Sequence, residues 1–237
     1  AFEKGLDMAR TEGLFESACS FLTNLAIVVM DQGEDQQAEA YLQEARELAY
    51  RIGYGERICG VLANLGELCI KQNRHAEAEA HLQEGLLLAR TIGHAERLSA
   101  LLCRLGLVMS RQQRYSEAAE YIQESTQIAE SMEHIYRIGE ARLAWGELKI
   151  KEGSNSEAEK AFSEACACAQ KIHNQAMVAE ALFGLAQTAL ISHNLPAASE
   201  QGQQSFELFE MLGHHRGEAV RTWLTQHALP TSISWIR

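Results

Sequence analysis

One pattern returns at a fixed step along the whole chain, and no other feature narrows its possible folds as much. Leu25, Leu65, Leu105, Trp145 and Leu185 stand 40 apart. The residue after each is tiny: Ala26, Gly66, Gly106, Gly146 and Ala186. Twelve residues further on comes alanine in every copy, at Ala38, Ala78, Ala118, Ala158 and Ala198. Four beyond that lie Leu42, Leu82, Ile122 and Phe162, and then Gly202. Five copies without insertion or deletion define one supersecondary unit.

Each unit reads as two helices. The chain is 46 % hydrophobic with only 2 Pro, and its abundant Ala, Leu, Glu and Gln favour helix. The first helix covers about 14–31, then 54–71, 94–111, 134–151 and 174–191. A short turn follows at Gly33, Asn73, Gln113, Gly153 and His193. The second helix runs from about Asp35 to Ile52, with counterparts ending near Ile92, Met132, Ile172 and Leu212. Gly53, Gly93 and Gly213 suit the left-handed residue that closes a helix. Ser156 and Pro196 read as helix-start signals. The tiny residue of the first helix is expected to face the alanine of the second, so that the two backbones approach closely.

A single hairpin cannot bury its apolar faces, whereas a stack of them can. The expected organisation is therefore all-α: one solenoid over 1–237, with helix pairs at 14–52, 54–92, 94–132, 134–172 and 174–212. Residues 1–12 read as the second helix of a preceding pair, because Met8, Ala9 and Gly13 lie 40 before Leu48, Ala49 and Gly53. Residues 214–229 read as a solitary terminal helix with Val220, Trp223 and Leu224, ended by Pro230 and followed by a tail, 230–237. The chain reads as a piece of a longer protein.

Composition and motifs exclude several functions. A net charge of −11 lacks the clustered Lys and Arg that nucleic-acid backbones require, so no nucleic-acid partner is expected. The longest aliphatic run, Leu25 to Met30, falls far short of the ~20 residues of a membrane span. No basic and apolar secretion signal opens the chain. The six cysteines form no CxxC pair; they read as reduced, small packing residues, which implies the cytoplasm. No phosphate loop, HExxH or GxSxG occurs, so neither catalysis, a metal nor a cofactor is expected. His94, His134 and His214 share one repeat position and read as cap residues.

The small-residue code, the Ala at its twelve-residue offset and the short turn resemble the tetratricopeptide repeats, over almost the whole chain. The usual unit of that family has about 34 residues, with a Pro near its end. Here the spacing is 40, and Tyr50, Arg90, Glu130, Gln170 and Glu210 stand where that Pro is expected. The long form is similar to the tetratricopeptide sensors of bacterial signal-transduction NTPases and transcriptional activators, and to spindle-orientation adaptors. The resemblance implies a right-handed superhelix whose first helices line the concave face. It also implies a non-catalytic protein-interaction module, the sensor or scaffold arm of a larger signalling protein, whose partner is a protein, a peptide or another domain of the parent.

Carried over by position, the partner-binding face comprises Thr23, Asn24 and Ile27, then Asn64, Glu67 and Ile70, then Cys103, Arg104 and Leu107. Leu143, Glu147 and Ile150 follow, then Phe183 and Gln187, then Trp223. The same positions also suit packing between helices. Asn24, Asn64 and Arg104 share one repeat position; each either holds the backbone of an extended partner or bonds its own helix. Glu16, Glu56 and Glu96 near the helix starts, and Lys71, Arg111 and Lys151 at the ends, either complement the helix dipoles or form two charged rails. Self-association and sensing of a small-molecule inducer are the alternative functions.

Overall fold

The computed structural model describes residues 2–227 and 229. These form twelve α-helices and no strand. They are α1 (Phe2–Thr11), α2 (Phe15–Asp31), α3 (Asp35–Ile52), α4 (Gly55–Lys71), α5 (His75–Ile92), α6 (Ala95–Arg111), α7 (Tyr115–Ser131), α8 (Ile135–Lys151), α9 (Asn155–Lys171), α10 (Gln175–Ile191), α11 (Leu195–Leu212) and α12 (Arg216–Gln226). From α4 to α11 every helix begins one repeat length after its counterpart in the preceding pair. Pro230 and the tail lie outside the described residues.

The turns obey a shorter period than the sequence shows. A backbone with positive φ recurs at Gly13, Gly33, Gly53, Asn73, Gly93, Gln113, Glu133, Gly153, His173, His193 and Gly213, at half the repeat length each time. The turn within a pair and the turn between pairs therefore share one geometry. Glu133 and His173, at φ 53° and 55°, adopt it without glycine, because helix packing on both sides fixes the chain there. Pro196 lies in the first turn of α11. Ser156 does not start a helix; Ser154 is the N-cap of α9 and Ser156 sits inside its first turn.

The chain divides into two compact units, Ala1–Ile128 and Ala129–Arg237. In the first, α2 packs on α3 and α4, and α4 packs on α5 and α6. Leu22, Leu42, Leu62, Leu65, Leu68 and Leu82 are fully buried there. In the second, α8 packs on α9 and α10, α10 on α11, and α11 on α12. Phe162 and Phe209 are its largest fully buried side chains.

The notches work differently from the sequence expectation. The tiny residue of the first helix faces the bulky residue four past the conserved alanine. A Cβ added at Gly66 would stand 2.5 Å from Leu82, and one at Gly146 would stand 2.7 Å from Phe162. At Gly106 it would overlap Ile122, with the Ala118 carbonyl 3.2 Å away. Each notch is thus a socket for one large side chain. The fifth pair differs: Ala186 stands on α10, and Gly202 on α11 receives Leu224 of α12, 2.8 Å from where a Cβ would stand.

Candidate functional site

The 17-residue first helices α2, α4 and α6 carry the expected face of the first unit. Their apolar stripe turns toward the paired helices, which leaves the positions between stripe residues at the surface. Asn24 and Ile27 are exposed; Thr23, Asn64, Glu67, Ile70, Arg104 and Leu107 are half-buried. Cys103 is a correction: at 6 % exposure it is a core residue and presents no surface. Its small side chain fits where α6 packs against its neighbours.

Arg104 is already engaged. Its Nε and Nη2 donate to Glu67 Oε2 at 3.1 and 2.7 Å, joining α6 to α4. Asn24 and Asn64, at the same repeat position, make no hydrogen bond among the described residues. Neither amide bonds its own helix, and each keeps a free donor and a free acceptor.

The charges at the helix ends are engaged too. Lys71 Nζ donates to the Met30 carbonyl at 2.7 Å, covering the C-terminus of α2 from the end of α4. Glu56 meets Arg97 at 3.3 Å and His94 at 3.6 Å, and Glu16 meets Arg57 at 3.8 Å. Burial pushes the Glu56 carboxyl up, but the Tyr54 hydroxyl, Arg97 and His94 outweigh it and hold it below the usual range. Glu16 and Glu56 are therefore links between repeats. Sequence reasoning overlooked their partners, although Arg57 and Arg97 stand 40 apart and carry the same period. His94 and His134 do cap their helices, their Nδ1 accepting from the backbone N–H of Arg97 and Arg137.

In the second unit α8, α10 and α12 carry Leu143, Glu147, Ile150, Phe183, Gln187 and Trp223, all half-buried. Phe183 and Trp223 meet edge to face, their centroids 5.4 Å apart, and both pack on the core around Phe209. Gly184 stands at the position of Asn24 and Asn64, beside Phe162.

All six cysteines are free of disulfides, four of them buried. Burial pushes the thiols of Cys19, Cys69, Cys166 and Cys168 up, and that of Cys59 to about 11. These are poor nucleophiles at neutral pH. Among the described residues no cluster of three His, Cys, Asp or Glu could hold a metal ion. None of the described helices is long and apolar enough to cross a membrane.

The sequence model of the tetratricopeptide repeat matches residues 16–86 and 57–131. With the helix pairs and sockets described above, that match over 16–131 supports an all-α, tetratricopeptide-like fold. No curated protein sequence matches it. Among solved structures, BtubC from P. vanneervenii is similar, at 15 % identity and TM-score 0.63 over 94 % of this chain and 89 % of that one. A STAND protein with a tetratricopeptide repeat sensor, from Pyrococcus horikoshii, shares 15 % identity with TM-score 0.61, over 94 % of this chain and 42 % of its own. A Rap protein complexed with Competence and Sporulation Factor shares 15 % identity with TM-score 0.63, over 93 % of this chain and 74 % of its own. At such identity the likeness is one of fold.

Proposed function

We propose that the chain is a non-catalytic protein-interaction module, and that the first helices of each unit bind a protein or peptide. The carrying observation is the pair of amides at Asn24 and Asn64. One repeat apart and unbonded, they share the first helices of this unit with exposed Ile27 and half-buried Ile70 and Leu107. A primary amide both donates to and accepts from a main chain whatever its sequence. The apolar neighbours supply contact area. In the second unit Leu143, Ile150, Phe183 and Trp223 form the corresponding apolar face, edged by Glu147 and Gln187. Cysteines without disulfides fit a reducing cytoplasm. The setting that suits this module is the sensor or scaffold arm of a larger signalling protein; the STAND and Rap proteins of like fold support that reading.

Capture of partners by the purified chain, identified by mass spectrometry, tests it. The double variant N24A/N64A removes both amides without touching an internal hydrogen bond, so its helicity and melting should match the wild type. Two lost hydrogen bonds of about 1 kcal/mol each weaken the captured partner roughly tenfold or more. Equal affinity of the two proteins would remove the amide clamp from this reading.

A further inference from the structure

A shallow cleft opens between α8 and α9, lined by Arg142, Trp145, Glu157, Lys160, Ala161 and Glu164, with a volume of about 230 Å³. None of the face residues named above lines it. Its origin lies in the repeat register. Trp145 stands where other pairs carry Leu25, Leu65, Leu105 and Leu185. Ala161, seventh in α9, stands where Tyr41, His81 and Tyr121 are seventh in α3, α5 and α7. Those three rings are half-buried, and Tyr41 packs on the core of its unit. The fourth pair lacks the ring and offers a half-buried indole instead, steadied by Lys149 Nζ at 4.4 Å from its centroid.

The register also says what the vacant place would meet. Tyr41 Oη accepts from Gln37 Nε2 at 3.0 Å, and the residue matching Gln37 in α9 is Glu157. Glu157 is 60 % exposed and only loosely held by Lys149, at 3.8 Å. Its carboxylate is free to accept a hydroxyl.

We propose that this cleft is a second recognition site, taking a tyrosine side chain of a partner protein. The ring seats on Trp145, in the place Tyr41 and Tyr121 occupy from within, and its hydroxyl donates to Glu157. Offset or edge contact between aromatic rings provides the attraction. Metabolite pockets usually exceed about 300 Å³, so a space this small suits one side chain better than a whole free ligand.

The test uses the full chain, with N-acetyl-tyrosinamide, N-acetyl-phenylalaninamide and N-acetyl-alaninamide as probes. Backbone amide signals of Glu157, Lys160 and Ala161 are followed by NMR at millimolar probe. The tyrosine probe should shift them saturably, the phenylalanine probe more weakly, and the alanine probe not at all. E157A should bring the tyrosine probe down to the phenylalanine level. The swap W145L/A161Y recreates the Leu25/Tyr41 pair; it should melt at or above the wild type and respond to no probe. Absence of a saturable shift in the wild type overturns the proposal. So does an equal response to tyrosine and alanine, or an E157A variant that still prefers tyrosine.

Discussion

Gly184 lies so close to Phe162 that a Cβ there would overlap ring atoms Cδ1, Cε1 and Cγ. Gly146 bounds the same ring from α8. Phe162 replaces the Leu42, Leu82 and Ile122 of earlier pairs, and the larger ring needs a second notch on the next first helix. That is why the fourth pair is followed by glycine at the repeat position of Asn24 and Asn64. Restoring the amide with G184N should overpack this contact and cost about 1–3 kcal/mol. In an F162L background the same change should cost markedly less. A double-mutant cycle by urea denaturation measures that coupling; additive costs would show that the ring does not dictate the glycine.

Ser99 and Ser125 form a second code, this one buried. Each is fully buried, and each hydroxyl donates to the other's carbonyl, at 3.1 and 2.8 Å. The same 26-residue spacing joins Cys19 Sγ to the Ala45 carbonyl at 3.5 Å, Cys59 Sγ to Gly85 at 3.6 Å and Ser205 Oγ to Ala179 at 2.7 Å. S99A should cost about 1 kcal/mol through the lost hydrogen bond. S99C, which imports the residue of the first two pairs, should cost distinctly less. Chemical denaturation of the three proteins decides between a hydrogen-bond role and mere small size.

The helices and most turns were legible in the sequence, because one period fixes ten helices and glycine or asparagine marks many of the turns. Glu133 and His173 were not legible as left-handed residues, since only packing on both sides holds them there. The partner of each notch was hidden because Gly66 and Leu82 meet across a turn, at a spacing no local pattern reveals. The face on the first helices was legible by position, but not its chemistry. Arg104 and Glu67 are 37 residues apart, and Cys103 reads as surface until the neighbouring helices are in place. Tyr50, Arg90 and Glu130 stood out only as missing prolines; the structure shows them bonding the next second helix or α8.

Those positions give a third prediction. Arg10 pairs with Glu44 at 2.6 Å and Arg90 with Glu124 at 3.0 Å, each linking one second helix to the next. The next rung would place Glu130 against Glu164. Arg142 from α8 bonds both instead, at 2.9 and 3.0 Å. R142A should destabilise the second unit by up to about 1 kcal/mol, since the three side chains are partly solvated and screened. E130R in that background should restore the missing rung and the lost stability. Both effects should shrink in high salt, as followed by thermal melting at two ionic strengths.

His81 supplies the pH dependence. Burial, and then the nearby Arg46, hold its imidazole below the ordinary histidine range. The folded chain therefore favours the neutral ring, whereas the unfolded chain binds a proton near pH 6.5. The stabilisation is complete above that value and is lost as pH falls through it toward the lower folded value. H81Y places at this position the residue already present at Tyr41 and Tyr121, removing the titration while keeping a ring. Between pH 8 and pH 5 the wild type should lose melting temperature relative to H81Y. Parallel curves for the two proteins would mean that His81 titrates alike in the folded and unfolded chains.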